Sequence, residues 1–240
     1  MHTNPLRSIL KCSTLVGASC LLANLSTTLQ ASPVLNETFN TPLSAEKWAV
    51  EPANAADAAA GVLTIHAKGS DSDYAVTGVR LASALDKLNF VKNTVQITLT
   101  NLDITGDAST DRQIFHMILS SDSANDLEAA SRLQLRIARD GSLSIAGQDK
   151  GAATPIISYE GTVSLPIKSL KLTLKPTGAT LSIEDANGPK SQDIAFTAPL
   201  TAWASSTPYL RLQSQRNPGS GETVVTLHGF GVDSEPIPAK

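Results

Sequence analysis

Three observations predict an all-β, antiparallel fold. Apolar residues recur at every second position along almost the whole of residues 32–240. Gly, Asp, Asn and Ser clusters separate these segments, as turns require. Helix signals are weak: residues 55–60 are alanine-rich but short, and residues 123–131 accommodate one or two turns within a loop. Together they predict about a dozen strands with no helical layer, a sandwich or a barrel.

The elements follow in order. Leu63, Ile65 and Ala67 alternate, then Val95, Ile97 and Leu99, then Phe115, Met117 and Leu119. Leu133, Leu135 and Ile137 come next, and Asp140-Gly141 links them to Leu143 and Ile145 with the spacing of a tight hairpin. Leu170, Leu172 and Leu174 precede Leu181 and Ile183, and Asp185-Ala186-Asn187-Gly188 reads as a longer turn. Leu210 with Leu212 begin the closing pair, and a loop over residues 217–221 leads to Thr226, His228, Phe230 and Val232. There is no internal repeat.

Residues 1–31 read as a secretory signal peptide, leaving 32–240 as a single domain. Arg7 and Lys11 give a basic start, a small apolar stretch follows, and Leu29-Gln30-Ala31 ends it. The apolar stretch is too short for a membrane span. Gly17 stands where a lipoprotein signal wants a large aliphatic residue before Cys20. Both cysteines, Cys12 and Cys20, lie in this segment, so the rest has no thiolate or disulfide chemistry. The segment holds two basic residues and no acidic one, so the remainder is more acidic than the formal charge of −3 for the whole chain. That balance argues against nucleic acid as a partner. The expected location is secreted or periplasmic.

Three stretches resemble the concanavalin A-like jelly-roll superfamily, which includes laminin-G-like modules, family-16 glucanases and family-7 alginate lyases. "ETFNTPLSAEKWAV" from Glu37 resembles the opening strand, "LKLTLKPTGATLSIEDANG" from Leu170 the long hairpin, and "YLRLQSQRNPGSGETVVTLHGFGVD" from Tyr209 the closing pair. The resemblance implies a two-sheet antiparallel jelly-roll β-sandwich. The Glu-x-Asp-x-Glu strand of family-16 glucanases is missing, and the only adjacent Glu-Asp pair is Glu184-Asp185 at a turn. Retaining hydrolysis needs two carboxylates on one face.

Three partial motifs are similar to those of the family-7 lyases. In "YAVTGVR", Arg80 matches the last Arg of their first motif, while Val76 and Gly78 replace its Arg and Glu. In "QIFH", His116 matches the motif His, and Ile114 stands where Gln belongs. In "YLRLQSQ", Tyr209 and Arg211 match Tyr and Lys, but Gln215 replaces the second Tyr, which such lyases use as acid and base. The resemblance implies Arg80, His116 and Tyr209 as the catalytic set of a β-elimination: a cation to neutralise the uronate, a base and an acid.

Each residue also has a plainer reading. His116 fits the open face of a sheet, and Tyr209 with Arg211 fits either a sugar-stacking ring beside a polar row or a half-exposed strand. Gln213 extends that row, and Arg132, Gln134 and Arg136 form a second one, either solvated or lining the same floor. Trp203 is the candidate stacking platform, and Trp48 belongs to the core. His66 and His228 lack the pairing that a transition metal needs. The acidic stretches 71–73 and 103–111 lack EF-hand spacing, although the superfamily often carries a structural calcium. No cofactor is expected.

The leading expectation is a secreted carbohydrate-binding or surface-interaction module with a glycan as partner. A divergent polysaccharide lyase acting on a uronic-acid polymer is the alternative, and a structural or adhesion module without a sugar ligand is the third.

Overall fold

A computed structural model describes residues 32–68, 74–85, 88–106, 113–120, 131–148, 155–200, 208–218 and 221–238. Residues 1–31, expected to be a signal peptide, lie outside them, as do Trp203, the acidic stretch 71–73, residues 107–111 of the second acidic stretch and the helical-turn candidate at 123–130.

Among the described residues, fifteen strands form two antiparallel sheets. In chain order they are β1 (Ser32–Glu37), β2 (Trp48–Glu51), β3 (Ala56–Ala59), β4 (Val62–Ala67) and β5 (Ala75–Leu81). Next come β6 (Asn93–Gly106), β7 (Gln113–Ser120), β8 (Arg132–Ala138), β9 (Ser142–Gln148) and β10 (Ile157–Thr162). The last five are β11 (Ile167–Lys175), β12 (Gly178–Asp185), β13 (Gly188–Ala195), β14 (Tyr209–Arg216) and β15 (Thr223–Pro236). Sheet A runs β13-β12-β11-β6-β15-β4-β3, with β1 also on β15. Sheet B runs β10-β9-β8-β7-β14-β5-β2. The closing strands, β14 and β15, insert centrally into opposite sheets, beside β7 and β6. This is a sandwich with open edges rather than a closed barrel.

Period two places the core between the sheets. Val95, Ile97, Leu170, Leu172, Val225 and Val232 project from sheet A, and Phe115, Met117, Leu133, Leu135, Leu210 and Leu212 from sheet B, all buried. Each such side chain contributes roughly 1.5–3 kcal/mol. Trp48 and Phe39 join this core, as expected for Trp48.

Several elements differ from the reading of the sequence. The opening stretch from Glu37 is not one strand but a crossover, from β1 in sheet A to β2 in sheet B. Residues 56–59, alanine-rich, form a strand because pairing along β4, from Ala56↔Ile65 to Ala59↔Val62, overrides helix propensity. The turn after Asp185 is tighter than expected, with Ala186 and Asn187 alone between β12 and β13 and Gly188 at φ 96°. His228 does not share the core side with Phe230. On β15 the buried series 225, 227 gives way to 230, 232, leaving His228 exposed. Its neighbour β6 shifts phase at the same level, with Thr100 and Asn101 both exposed and Asn101 at φ 48°. Because both strands shift together, the register between them is unbroken from Thr223↔Gly106 to Pro236↔Asn93. The hairpin predicted at Asp140-Gly141 does join β8 to β9, with Gly141 at φ 88° and the Asp140 carboxylate accepting from the Ser142 N–H.

Candidate functional site

The strand registers of sheet B sort its outward side chains into lines across the sheet. Glu51, Gly78, Gln213, His116, Arg136, Ser144 and Glu160 stand in one line across seven strands. The next line holds Ala49, Arg80, Arg211, Ile118, Gln134, Ala146 and Ser158. A third holds Tyr209, Ser120, Arg132 and Gln148. On the other flank lie Val76, Gln215, Ile114 and Ala138.

Of the residues singled out in the sequence, Arg80, Arg211, Gln213, His116, Gln134 and Arg136 therefore converge in two adjacent lines. Tyr209 and Arg132 belong to the third. Tyr209 sits four residues from Gln213, the cross-strand partner of His116, which is about 13 Å along the strand. Gln215 is only two residues from Gln213. The residue standing in for the family's second Tyr is thus the one beside His116, and an amide offers no titratable proton.

The centre of this face is not a solvated surface. His116 is 4% exposed and Gln213 1%, and Ile114 and Ile118 are buried too. Burial, followed by the nearby Arg136 charge, lowers the His116 pKa to about 4; the neighbouring Gln215 amide opposes this weakly. Nε2 has no hydrogen-bond partner, so burial wins and the ring is neutral at pH 7. The Gln134 Nε2 group donates to His116 Nδ1 at 2.5 Å, which leaves the ring proton on Nε2.

Three more polar atoms are buried here without a partner: both amide atoms of Gln213 and the Nε of Arg80. An unmet buried polar group costs about 1–3 kcal/mol. Four in adjacent positions mark an arrangement that packing alone does not favour.

Glu51 supplies the charge that the sequence reading missed. Its Oε1 accepts from Arg80 at 3.0 Å and its Oε2 from Arg211 at 2.5 Å. Arg80 and Arg211 are direct cross-strand partners, and like charges so placed repel unless an anion bridges them. No sequence signal pointed to Glu51, which lies 29 residues from Arg80 and 160 from Arg211. Gly78, where the lyase resemblance wants Glu, has no room for a side chain. A Cβ there would meet the Leu212 carbonyl oxygen at 2.3 Å.

Chemically, the face offers hydrogen-bond donors and acceptors around a cationic pair. Proton transfer needs an acid and a base within hydrogen-bonding reach of one bond. His116 with Tyr209 does not meet that need. Among the described residues no group of three metal-ligating side chains gathers.

No family model matches the sequence, and no curated protein does. Solved structures do share the fold. An endo-1,3-β-glucanase from Streptomyces sioyaensis superposes with a TM-score of 0.62 at 9% identity, covering 94% of this chain and 100% of its own. Lectin II from Ulex europaeus gives 0.55 at 12%, covering 85% and 100%. A lichenase from a mouse hindgut metagenome gives 0.55 at 8%, covering 85% and 99%. At such identities the likeness establishes the fold, the concanavalin A-like jelly roll.

Proposed function

We propose that this concanavalin A-like jelly roll is an exported carbohydrate-binding module whose sugar lies on the outward face of sheet B. The observation that carries the reading is the cluster of buried, unpaired polar atoms on His116, Gln213 and Arg80. They offer what a sugar's hydroxyls and ring oxygens need, in a setting that strengthens each bond. Tyr209 adds a half-buried ring two steps along, at a separation suited to the next sugar unit rather than to the same linkage. Solved proteins of this fold include β-glucanases and a lectin complexed with galactose, which makes sugar binding a natural use of the architecture.

Catalysis is the weaker reading. A His116 neutral down to about pH 4, with its proton on Nε2, is a donor toward a ligand rather than a base. A module with no ligand leaves the unpaired groups without a purpose. Export rests on the character of residues 1–31.

Affinity electrophoresis against a panel of neutral and acidic polysaccharides tests the reading. The parent should be retarded by at least one polymer, and Gln213→Leu, Arg211→Ala and Tyr209→Ala should each weaken the retardation without changing the fold. Variants that bind as the parent does would remove this face from consideration. Incubation with alginate should leave ultraviolet absorbance flat, since no unsaturated uronide forms. A rise that His116→Ala abolishes would make the lyase the better reading.

A further inference from the structure

We infer that the Arg80–Arg211 pair is a carboxylate site, and that the chain's own Glu51 occupies it until a carboxylated sugar displaces it. This rests on the glycan-binding reading and narrows it to acidic glycans.

Two guanidinium groups directly opposite each other on β5 and β14 require an anion between them. Glu51 meets that need with one oxygen on each, the way a planar carboxylate is recognised. Yet its hold is weak. The Glu51 side chain is 43% exposed, whereas those of Arg80 and Arg211 are 21% and 18% exposed. The site is thus set back in the sheet, and its occupant is the part that solvent reaches.

Glu51 also stands where displacement is easy. It is the last residue of β2, a four-residue strand at the edge of sheet B. Its backbone pairs with Gly78, so the side chain can swing out while the strand stays in place.

An incoming carboxylate would inherit the contacts of Glu51. It could also reach the buried Arg80 Nε, which Glu51 leaves without a partner. The exchange substitutes one anion for another, so it proceeds at little cost. A neutral sugar has nothing to exchange, and Glu51 therefore acts as a selectivity filter.

The test replaces the internal anion by its neutral isostere. Isothermal titration calorimetry would follow oligogalacturonate and oligoalginate, their carboxyl-reduced forms, and dextran sulfate against the parent, Glu51→Gln and Glu51→Ala. Both variants should bind at least one uronate oligomer about three- to thirty-fold more tightly than the parent, the range expected when two partly exposed ion pairs no longer compete. Binding of the carboxyl-reduced forms should be unchanged or undetectable. In the parent, the Glu51 side-chain carboxyl carbon resonance should move to a free-carboxylate position as the uronate saturates, a readout needing no variant.

If the parent binds uronate but both variants bind it equally or less well, and the resonance stays fixed, the inference fails while glycan binding stands. If the parent prefers carboxyl-reduced chains, the inference also fails and the module binds neutral sugar. Binding of dextran sulfate as strong as that of uronate in Glu51→Gln would overturn the carboxylate assignment. If no glycan binds at all, the functional reading itself falls, and the inference with it.

Discussion

His116 and Asp185 are both buried and titratable, and they answer acid in different windows. Burial favours the neutral imidazole, with a pKa of about 4 against an ordinary 6.5. Between those values the unfolded chain binds a proton that the folded one refuses, so stability falls as pH drops from about 6.5 to about 4. Asp185 is held down to about 2, first by its hydrogen bond from Lys190 at 2.8 Å and then by the Ser164 N–H at 3.0 Å. Its depressed pKa favours folding above about pH 4, and that contribution disappears as pH falls through about 2. Denaturation midpoints from pH 8 to 2 separate the two. His116→Gln should flatten the upper slope. Asp185→Asn should lower stability at pH 7, with the difference from the parent vanishing near pH 2. Nuclear magnetic resonance should find the His116 ring still neutral at pH 5.

At the scale of the strand, two glycines in comparable settings predict opposite outcomes. Gly78 on β5 lets that strand close on β14 beside Gln213, and a Cβ would meet the Leu212 carbonyl oxygen at 2.3 Å and the Gln213 Cβ at 2.8 Å. Gly231 on β15 lies open on sheet A, where a Cβ meets nothing nearer than 3.9 Å. Gly78→Val should destabilise by about 2–3 kcal/mol or more and loosen the line holding Gln213 and His116. Gly231→Val should leave stability unchanged or raise it by up to about 1 kcal/mol, since valine suits a strand better than glycine. Urea denaturation of both variants measures this. A Gly78→Val as stable as the parent would mean that β5 and β14 are not so tightly closed. The paired phase shift of β6 and β15 belongs to this scale too. Strict alternation put His228 with Phe230, and only the partner strand's matching shift at Thr100–Asn101 explains why it is exposed.

For the whole molecule, the two sheets share one core built from side chains of nearly every strand. No described element is a helix, so circular dichroism should be β-dominated with a negligible helical signal. A helix content above about a quarter would be incompatible with this architecture. Export predicts a second measurement: the intact mass of secreted protein should correspond to loss of residues 1–31. A retained leader would contradict it.

The sequence by itself determined the all-β class, most strand positions, the hairpin at Asp140-Gly141 and the jelly-roll resemblance. These are legible because period-two burial and turn chemistry are local, readable within a few neighbours. It also singled out Arg80, Arg211, Gln213 and His116, although only as members of separate segments. What tertiary structure alone decided is how those segments align. Register set Gln213 opposite His116, put Tyr209 two steps away, and placed Gln215 where an acid–base partner would stand. It brought Glu51 from an edge strand onto two arginines distant in the chain. It also buried both faces of β7, so that an apparently open His116 became a buried, neutral one. Strand order and register follow from long-range pairing, in which a single-residue slip turns every side chain over, and no local pattern encodes which strands become neighbours.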